Sequence, residues 1–437
     1  MTSNMLIKGG RVIDPSQGLD QISDLLIVDG LINEINTSIP KPRNAEIFNA
    51  EGQIVCPGFI DLHCHLREPG EEFKETIETG TAAAAAGGFT TVCAMPNTQP
   101  AMDNQSVVEY VLKKAKETAS IRVLPIGSVT IGRKGEQLSE MSELAQLGVI
   151  GFSDDGDPVE DPNIMRQALS YSAGLKLPII NHCEVPSLAD GASMNEGWVS
   201  NRLGLKGMPN SAEEVMVARD ISLAELTGGH VHIAHASTTG TIDLIRSAKE
   251  AGIKVTCEVT PHHLTLTENA VMGHGKDAFQ PLGNNAYDTN AKVNPPLRSK
   301  SDVASMIKSL NTGTIDFIAT DHAPHSVVDK MTTFQDSSFG ISVLETALGS
   351  LMALVDQGQM EVNTLIKKLT SDPATFLGMD IGNLKKGTSA EITVFDPSET
   401  WLVDTGTFIS KGKNTPLAGS MLKGKVKATF YQGIKVY

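Results

Sequence analysis

Residues 58–67 read Gly58-Phe59-Ile60-Asp61-Leu62-His63-Cys64-His65-Leu66-Arg67, a short apolar run that ends in His-x-His. Side chains two apart on a strand share a face. His63 and His65 are therefore expected on one face with Asp61 and Phe59, with Cys64 pointing away. Two imidazoles about 6–7 Å apart along a strand can converge on one divalent ion if the strand ends at an open site. Neutral imidazole is the commonest nitrogen ligand for zinc and similar metals. A bare His-x-His is weak evidence, equally compatible with two unrelated polar residues. Its weight depends on what else reaches the same place.

Working outward, this run is the first of eight. The others span 90–97, 121–130, 149–155, 178–184, 231–237, 254–262 and 317–325, and most end in polar residues. Helix-compatible segments lie between them: 82–86 (stopped by Gly87-Gly88), 105–118, 139–147, 161–173, 212–227, 241–251 and 302–310. Strand and helix alternating in this way predict an α/β fold, a (β/α)8 TIM-type barrel, with catalytic groups at the C-terminal ends of its strands.

The flanks differ from this middle. Upstream, 5–8, 11–13, 24–28 and 31–35 read as strands, with Gly9-Gly10 and Asp29-Gly30 as hairpin turns. Downstream come a turn at Gly340-Ile341, helices over 342–357 and 362–369, and a last helical turn from Asp372-Pro373-Ala374. Strands return at 391–395, 425–430 and 434–437, with Gln432-Gly433 as a turn. The two ends are expected to pair into one small β-domain, residues 1–57 with 383–437, around a barrel over 58–382. Segment 274–291 is rich in Gly, Asn and Gln without periodicity, and reads as a lid or an insertion.

Bulk properties narrow the classes. The 437 residues carry 36 basic and 51 acidic side chains, a net charge of -15. That balance argues against non-specific binding to nucleic acid or anionic membranes. It leaves room for an anionic substrate, because metal ions and an Arg make a site locally positive. No apolar stretch reaches the ~18 residues of a membrane span, and no signal peptide is evident. The five cysteines, Cys56, Cys64, Cys93, Cys183 and Cys257, are scattered without a C-x-x-C; Cys56 falls just before an apolar run and the rest within one. A reduced, cytoplasmic protein is expected.

The chemistry gathers at the predicted strand ends. Strand one brings His63 and His65, strand four ends Ser153-Asp154-Asp155-Gly156, strand five brings His182, strand six His235 and strand eight Asp321. Any one of these is more often structural than a ligand; jointly they form a candidate metal site. Histidines with carboxylates suit Zn²⁺, and a bridging carboxylate suits two ions. Asp154 and Asp155 are not separable by sequence. His230 and His232 have the opposite parity to His235 and should face the helices; His262 and His263 read as structural or as outer partners of the ligands.

Longer motifs then carry a resemblance. His63-Cys64-His65-Leu66-Arg67-Glu68-Pro69-Gly70, Met95-Pro96-Asn97-Thr98, Ser153-Asp154-Asp155-Gly156, His182-Cys183-Glu184, Asn294-Pro295-Pro296-Leu297-Arg298 and the run 319–325 resemble type I dihydroorotases of the amidohydrolase superfamily, over nearly the whole chain. The resemblance implies reversible, metal-dependent cyclisation of N-carbamoyl-L-aspartate to L-dihydroorotate in pyrimidine biosynthesis. It implies one or two Zn²⁺ per subunit on His63, His65, Asp155, His182, His235 and Asp321, with Asp155 bridging. Asp321 would also be the catalytic proton carrier, and His65, Arg67, Asn97, Asn294, His325, Phe339 and Gly340 would contact substrate. A homo-oligomer is expected, and partnership with aspartate transcarbamoylase stays open. Many relatives bridge their metals with a carboxylated Lys from strand four; 149–156 contains no Lys, which argues against hydantoinase and allantoinase. Two rivals remain: another cyclic amidohydrolase, and a non-catalytic scaffold subunit, against which all six candidate ligands stand.

Overall fold

The computed structural model describes residues 4–273 and 285–437. Five strands open the chain: β1 (Asn4–Asp14), β2 (Leu19–Val28), β3 (Leu31–Asn36), β4 (Ala45–Asn49) and β5 (Ile54–Pro57). Nine more follow: β6 (Phe59–Cys64), β7 (Phe89–Ala94), β8 (Arg122–Pro125), β9 (Ile179–Asn181), β10 (Met194–Asn195), β11 (Gly207–Met208), β12 (Val231–Ile233), β13 (Val255–Val259) and β14 (Phe317–Ile318). The chain ends in β15 (Ile392–Leu402), β16 (Met421–Tyr431) and β17 (Ile434–Lys435).

Both ends of the chain share one sheet. Its order is β17-β16-β15-β5-β1-β2-β3, with β4 paired to β1. β5 is the splice, parallel to β1 and antiparallel to β15. Its apolar face buries Ile7, Val12, Leu25, Ile27, Val55, Ile392, Val394 and Phe430. Asp29 and Gly30 take φ of 50° and 80°, as a tight hairpin turn between right-twisted strands requires. Gly9-Gly10 is not a turn. β1 runs through it with a register shift between Ile7 and Gly10, so Gly9 (φ 70°) serves a bulge. Cys56 lies within β5 rather than before a strand, and all five cysteines are free and buried.

Apart from β10 and β11, which pair with each other in a separate two-stranded sheet, the middle strands pair in parallel around a closed path. β6-β7-β8 form one ladder and β9-β12-β13-β14 another. Single bridges join them: Gly127 to Phe152, Phe152 to Ile179, and Cys64 to His322. The fourth strand is thus reduced to Phe152. Ile60, Leu62, Cys93, Met95, Ile126, Ile180, Ala234, Phe317 and Ala319 form a core inside the ring. Val92, Val123, Ile179, Val231 and Ile233 face outward into the core shared with the helices.

Two predicted helices match to the residue, Gln105–Thr118 and Val362–Leu369. Helix Ile77–Ala86 starts earlier than its alanine run, because Thr76 and Thr79 close a capping box. Helix Ala347–Asp356 starts later than predicted, because His322 Nδ1 accepts the Val343 N–H at 3.0 Å and a bridge joins His322 to Ile341. Between β9 and β12 lie helices Pro186–Ala189 and Trp198–Leu203, absent from the sequence reading because each is under two turns. Of the aperiodic segment 274–291, residues 274–284 lie outside the described residues, and with them the choice between lid and insertion; Thr289–Ala291 forms a 3₁₀ turn. No helix among the described residues is long and apolar enough to cross a membrane.

Candidate active site

The six sequence-predicted ligands meet at one end of the ring. His63 Nε2 lies 3.6 Å from Asp155 Oδ1 and 3.5 Å from Asp321 Oδ1. His65 Nε2 lies 3.1 Å from Asp321 Oδ1 and 3.6 Å from Asp155 Oδ2. On the other side, His235 Nε2 is 3.4 Å and His182 Nδ1 3.7 Å from Asp155 Oδ1. Two sets of donors that could hold an ion result, His63-His65-Asp155 and Asp155-His182-His235, with Asp155 common to both. Asp154 turns away: its carboxylate accepts Val129 N–H, Thr130 N–H and the Thr130 hydroxyl. Burial pushes its pKa up to about 6.

Outer partners fix the ring tautomers. His63 Nδ1–H donates to Glu258 Oε1 at 2.6 Å. Burial would raise the Glu258 pKa, but His63 and His232 bring it to about 2, so it is an ionised acceptor. His65 Nδ1–H donates to Asn97 Oδ1 at 2.8 Å. Both imidazoles therefore aim Nε2 at carboxylate oxygens, and against burial the carboxylates Asp155, Glu258 and Asp321 push the His63 pKa well above its usual value. The cluster demands positive charge between these nitrogens and oxygens, which a proton on His63 or a metal ion supplies. Burial would raise the pKa of Asp155, yet His63 and His235 pull it well below the carboxylate range. Asp321 is likewise lowered by His63 and His65 against its burial. His63 Nε2 and Asp155 Oδ1 are buried without a hydrogen-bond partner among the described residues. Divalent metal fits this donor set: histidine nitrogens, carboxylate oxygens and neighbours that orient them.

A cavity of about 210 Å³ opens on the cluster, lined among others by Arg67, Asn97, Asn294, His325, Phe339 and Gly340. Arg67 is buried, with Nε on Pro324 O at 3.3 Å and NH1 3.9 Å from Glu71. Asn294 Nδ2 donates to Glu184 Oε2 at 2.8 Å, leaving its Oδ1 without a described partner. His325 Nε2–H donates to Phe339 O at 2.7 Å. Burial, with Arg67 and Lys330 nearby, lowers the His325 pKa to about 2, so the ring is neutral. Phe339 O, Gly340 N–H and Gly340 O are all engaged, by His325, Lys292 O and Asn414. This wall therefore offers the cavity chiefly its ring and backbone surface. A larger cavity of about 490 Å³, lined by Trp401, Phe408 and Glu345, lies away from these groups.

Strand parity fails at three points. Phe59 packs on Phe89 and Phe395 rather than sharing the histidine face, because Ile60 and Leu62 face into the ring and the β6 register shifts between Asp61 and Cys64, around His63. His230 and His232 point into the ring rather than at the helices. Both meet Thr256 Oγ1 at 2.8 Å, and His232 stacks on Phe317 at 5.2 Å and reaches Glu258 Oε2 at 3.2 Å. Parity counted back from His235 misleads because β12 ends at Ile233 and His235 takes a left-handed φ of 34°. His263 bonds Thr260 Oγ1 and Pro295 O, tying the end of β13 to the segment that carries Asn294. Neither ring nitrogen of buried His262 has a described partner, and burial lowers its pKa to about 4. Glu258 was missed, because it is a carboxylate inside an apolar run and its partner His63 lies 195 residues away in sequence; Glu184, which ends the fifth run, was given no role, although it accepts from Asn294 and lies 3.8 Å from His182.

Known proteins place this site in a family. A family model described as Dihydro-orotase-like matches residues 52–241. Proteins named dihydroorotase from Geobacter metallireducens and Pelobacter propionicus are 48% and 46% identical over 434 residues, 99% of each chain. One from Acetivibrio thermocellus is 47% identical over 430 residues, 98% of both. Among solved structures, L-hydantoinase (dihydropyrimidinase) from Arthrobacter aurescens superposes with a TM-score of 0.86 at 22% identity, covering 99% of this chain and 96% of that one. Dihydropyrimidinase from Brevibacillus agri gives 0.84 at 22% identity, covering 99% and 94%. The structural likeness carries the fold, the sequence likeness carries the lineage, and the chain belongs to the dihydroorotase family.

Proposed function

We infer that this protein is a dihydroorotase, catalysing reversible cyclisation of N-carbamoyl-L-aspartate to L-dihydroorotate in pyrimidine biosynthesis. The observation that carries the reading is the shared Asp155 between two histidine pairs, facing a cavity that also holds the buried Arg67. The ring of strands is read as a (β/α)8 barrel over 58–382, with the terminal sheet as a β-domain from 1–57 and 383–437. One or two Zn²⁺ would be held by His63, His65, Asp155, His182, His235 and Asp321. Such ions lower the pKa of a water toward ~7 and polarise an amide carbonyl.

The chain's own groups do the rest. Arg67 offers a planar fork to the substrate carboxylate, in a setting where burial strengthens the pairing. Asn97 has given its Oδ1 to His65, so its amide N–H groups remain for substrate oxygens. Asn294 Oδ1, without a described hydrogen-bond partner, is an acceptor suited to a ring N–H group, and the neutral His325 ring, whose Nδ1 lies 3.8 Å from Asp329, lines the same cavity. Asp321, ionised and 3.1 Å from His65, takes the proton of the attacking water and delivers it to the leaving ring nitrogen. In the synthetic direction the proton travels back. The reaction fits a soluble homo-oligomer in the cytoplasm; an active complex with aspartate transcarbamoylase is compatible with it.

The test is metal quantification on purified protein, with turnover measured on dihydroorotate, carbamoyl aspartate, dihydrouracil and hydantoin. Turnover of the two carboxylate-bearing compounds is expected. Preference for dihydrouracil or hydantoin would overturn the substrate assignment, and metal-free protein with full activity would overturn the site.

A further inference from the structure

Two lysines beside the cavity are buried. Lys292 and Lys330 are 3% and 6% exposed. All five of their ammonium hydrogen bonds go to backbone carbonyl oxygens. Lys292 Nζ donates to Gln335 O and Ser337 O, both at 2.7 Å. Lys330 Nζ donates to Thr289 O at 3.0 Å, Lys292 O at 3.2 Å and Ser338 O at 2.6 Å. Three carbonyls take the three N–H bonds an ammonium has, which no amide or hydroxyl side chain could match. Burial lowers the pKa of these groups to about 8 and about 7, the cost of using charge where a neutral donor would be cheaper to bury.

The two clamped segments are the ones that form a wall of the cavity. Lys292 O, held by Lys330, also accepts the Gly340 N–H at 2.9 Å. Lys292 Nζ sits 4.3 Å from the centre of the Phe339 ring, within cation–π range. Val293 and Asn294 follow Lys292 directly and line the same cavity as Phe339 and Gly340. The fit is tight: a Cβ on Gly340 would stand 2.8 Å from the Ala323 Cβ and 3.0 Å from His325 Cδ2.

We propose that Lys292 and Lys330 are positioning residues that lock 293–294 against 339–340 and thereby set how firmly substrate is held, without touching it. This rests on the dihydroorotase reading. Lys292→Met and Lys330→Met, made in the full zinc-loaded protein, are expected to raise KM for dihydroorotate about ten-fold while kcat stays within about three-fold. Zinc content should be unchanged. Amide hydrogen exchange should quicken in 289–294 and 333–340 and nowhere else. Phe339→Leu should reproduce the KM rise of Lys292→Met, and the double variant should add little to either. An unchanged KM, or kcat, KM and zinc content failing together, would overturn the proposal. Should the methionine variants not fold, Phe339→Leu with normal KM overturns it alone. Should wild type not turn over dihydroorotate, the functional reading falls, and unchanged exchange in the variants still decides against the lock.

Discussion

Replacing Glu258 by Gln should weaken metal binding while leaving the fold intact. The carboxylate is 1% exposed and holds three donors: His63 Nδ1 at 2.6 Å, His232 Nε2 at 3.2 Å and the His235 N–H at 3.4 Å. It thus touches one residue of each proposed ion's ligand set. Gln offers one acceptor oxygen and turns an NH₂ toward a nitrogen that needs an acceptor. Charge-assisted bonds are roughly twice as strong as neutral ones, so the exchange removes about 1–2 kcal/mol of support from His63. That corresponds to roughly 5- to 30-fold in affinity, overlapping the lower part of the 10–100-fold range typical of such outer partners. The assay is titration of metal-free protein with zinc against a chromogenic chelator, alongside kcat at saturating zinc. Affinity should drop by about 5- to 30-fold, with activity largely restored by excess zinc. Affinity within about two-fold of wild type would show that His63 needs no carboxylate to aim it, and the tautomer reasoning would fail.

Arg67→Ala should raise KM for dihydroorotate by about 10- to 100-fold with a smaller effect on kcat; an unchanged KM places the carboxylate elsewhere. Asp321→Asn should lower kcat by about 10²- to 10⁴-fold, and near-normal turnover would remove its proton role. A chelator should abolish activity and added zinc restore it; indifference to chelator contradicts the donor-set reading. Glu345 accepts the Ile409 and Ser410 N–H groups, and burial raises its pKa to about 7. A carboxyl raised in the fold stabilises below its unfolded pKa and loses that contribution as pH rises through about 7. The thermal midpoint of Glu345→Gln should therefore gain on wild type between about pH 5 and pH 8, by an amount equivalent to at most ~3 kcal/mol. A constant difference across that range would contradict the assignment.

Much of the site was legible because its ligands stand at strand ends, where apolar runs break into polar residues. His63, His65, Asp155, His182, His235 and Asp321 all fall there and all converge. The Asp154–Asp155 choice needed coordinates: both are buried, and only the backbone turn after Phe152 decides which faces the histidines and which caps 129–130. Glu258 was hidden because a charged residue inside an apolar run reads as noise until its partner's position is known. Lys292 and Lys330 look like ordinary surface lysines in sequence, since carbonyl partners leave no trace in residue identity. Bulges at Ile7–Gly10 and in β6 defeated turn and parity rules, because one inserted residue moves every later side chain to the other face.

Left-handed backbone recurs at the site itself. Arg67, His235 and Asp321 take φ of 59°, 34° and 46°, in the left-handed region that L-residues with side chains avoid. Such backbones cost on the order of 1–3 kcal/mol each and persist only where surroundings hold them. Here the holds are visible. The His235 N–H is fixed on Glu258 Oε1 at 3.4 Å, and Arg67 Nε on Pro324 O at 3.3 Å. Asp321 sits between Thr320, whose N–H and hydroxyl both bind Asp61, and His322, which accepts the Val343 N–H. A left-handed residue ends strand alternation and swings its side chain off the expected face. Three of these turns bring an imidazole, a guanidinium and a carboxylate from distant strands over one small cavity. Relaxing any one, for example by removing the Asp61 carboxylate that pins Thr320, should therefore cost activity before it costs the fold. Asp61→Asn with normal kcat and normal zinc content would show that Asp321 keeps its place without that support.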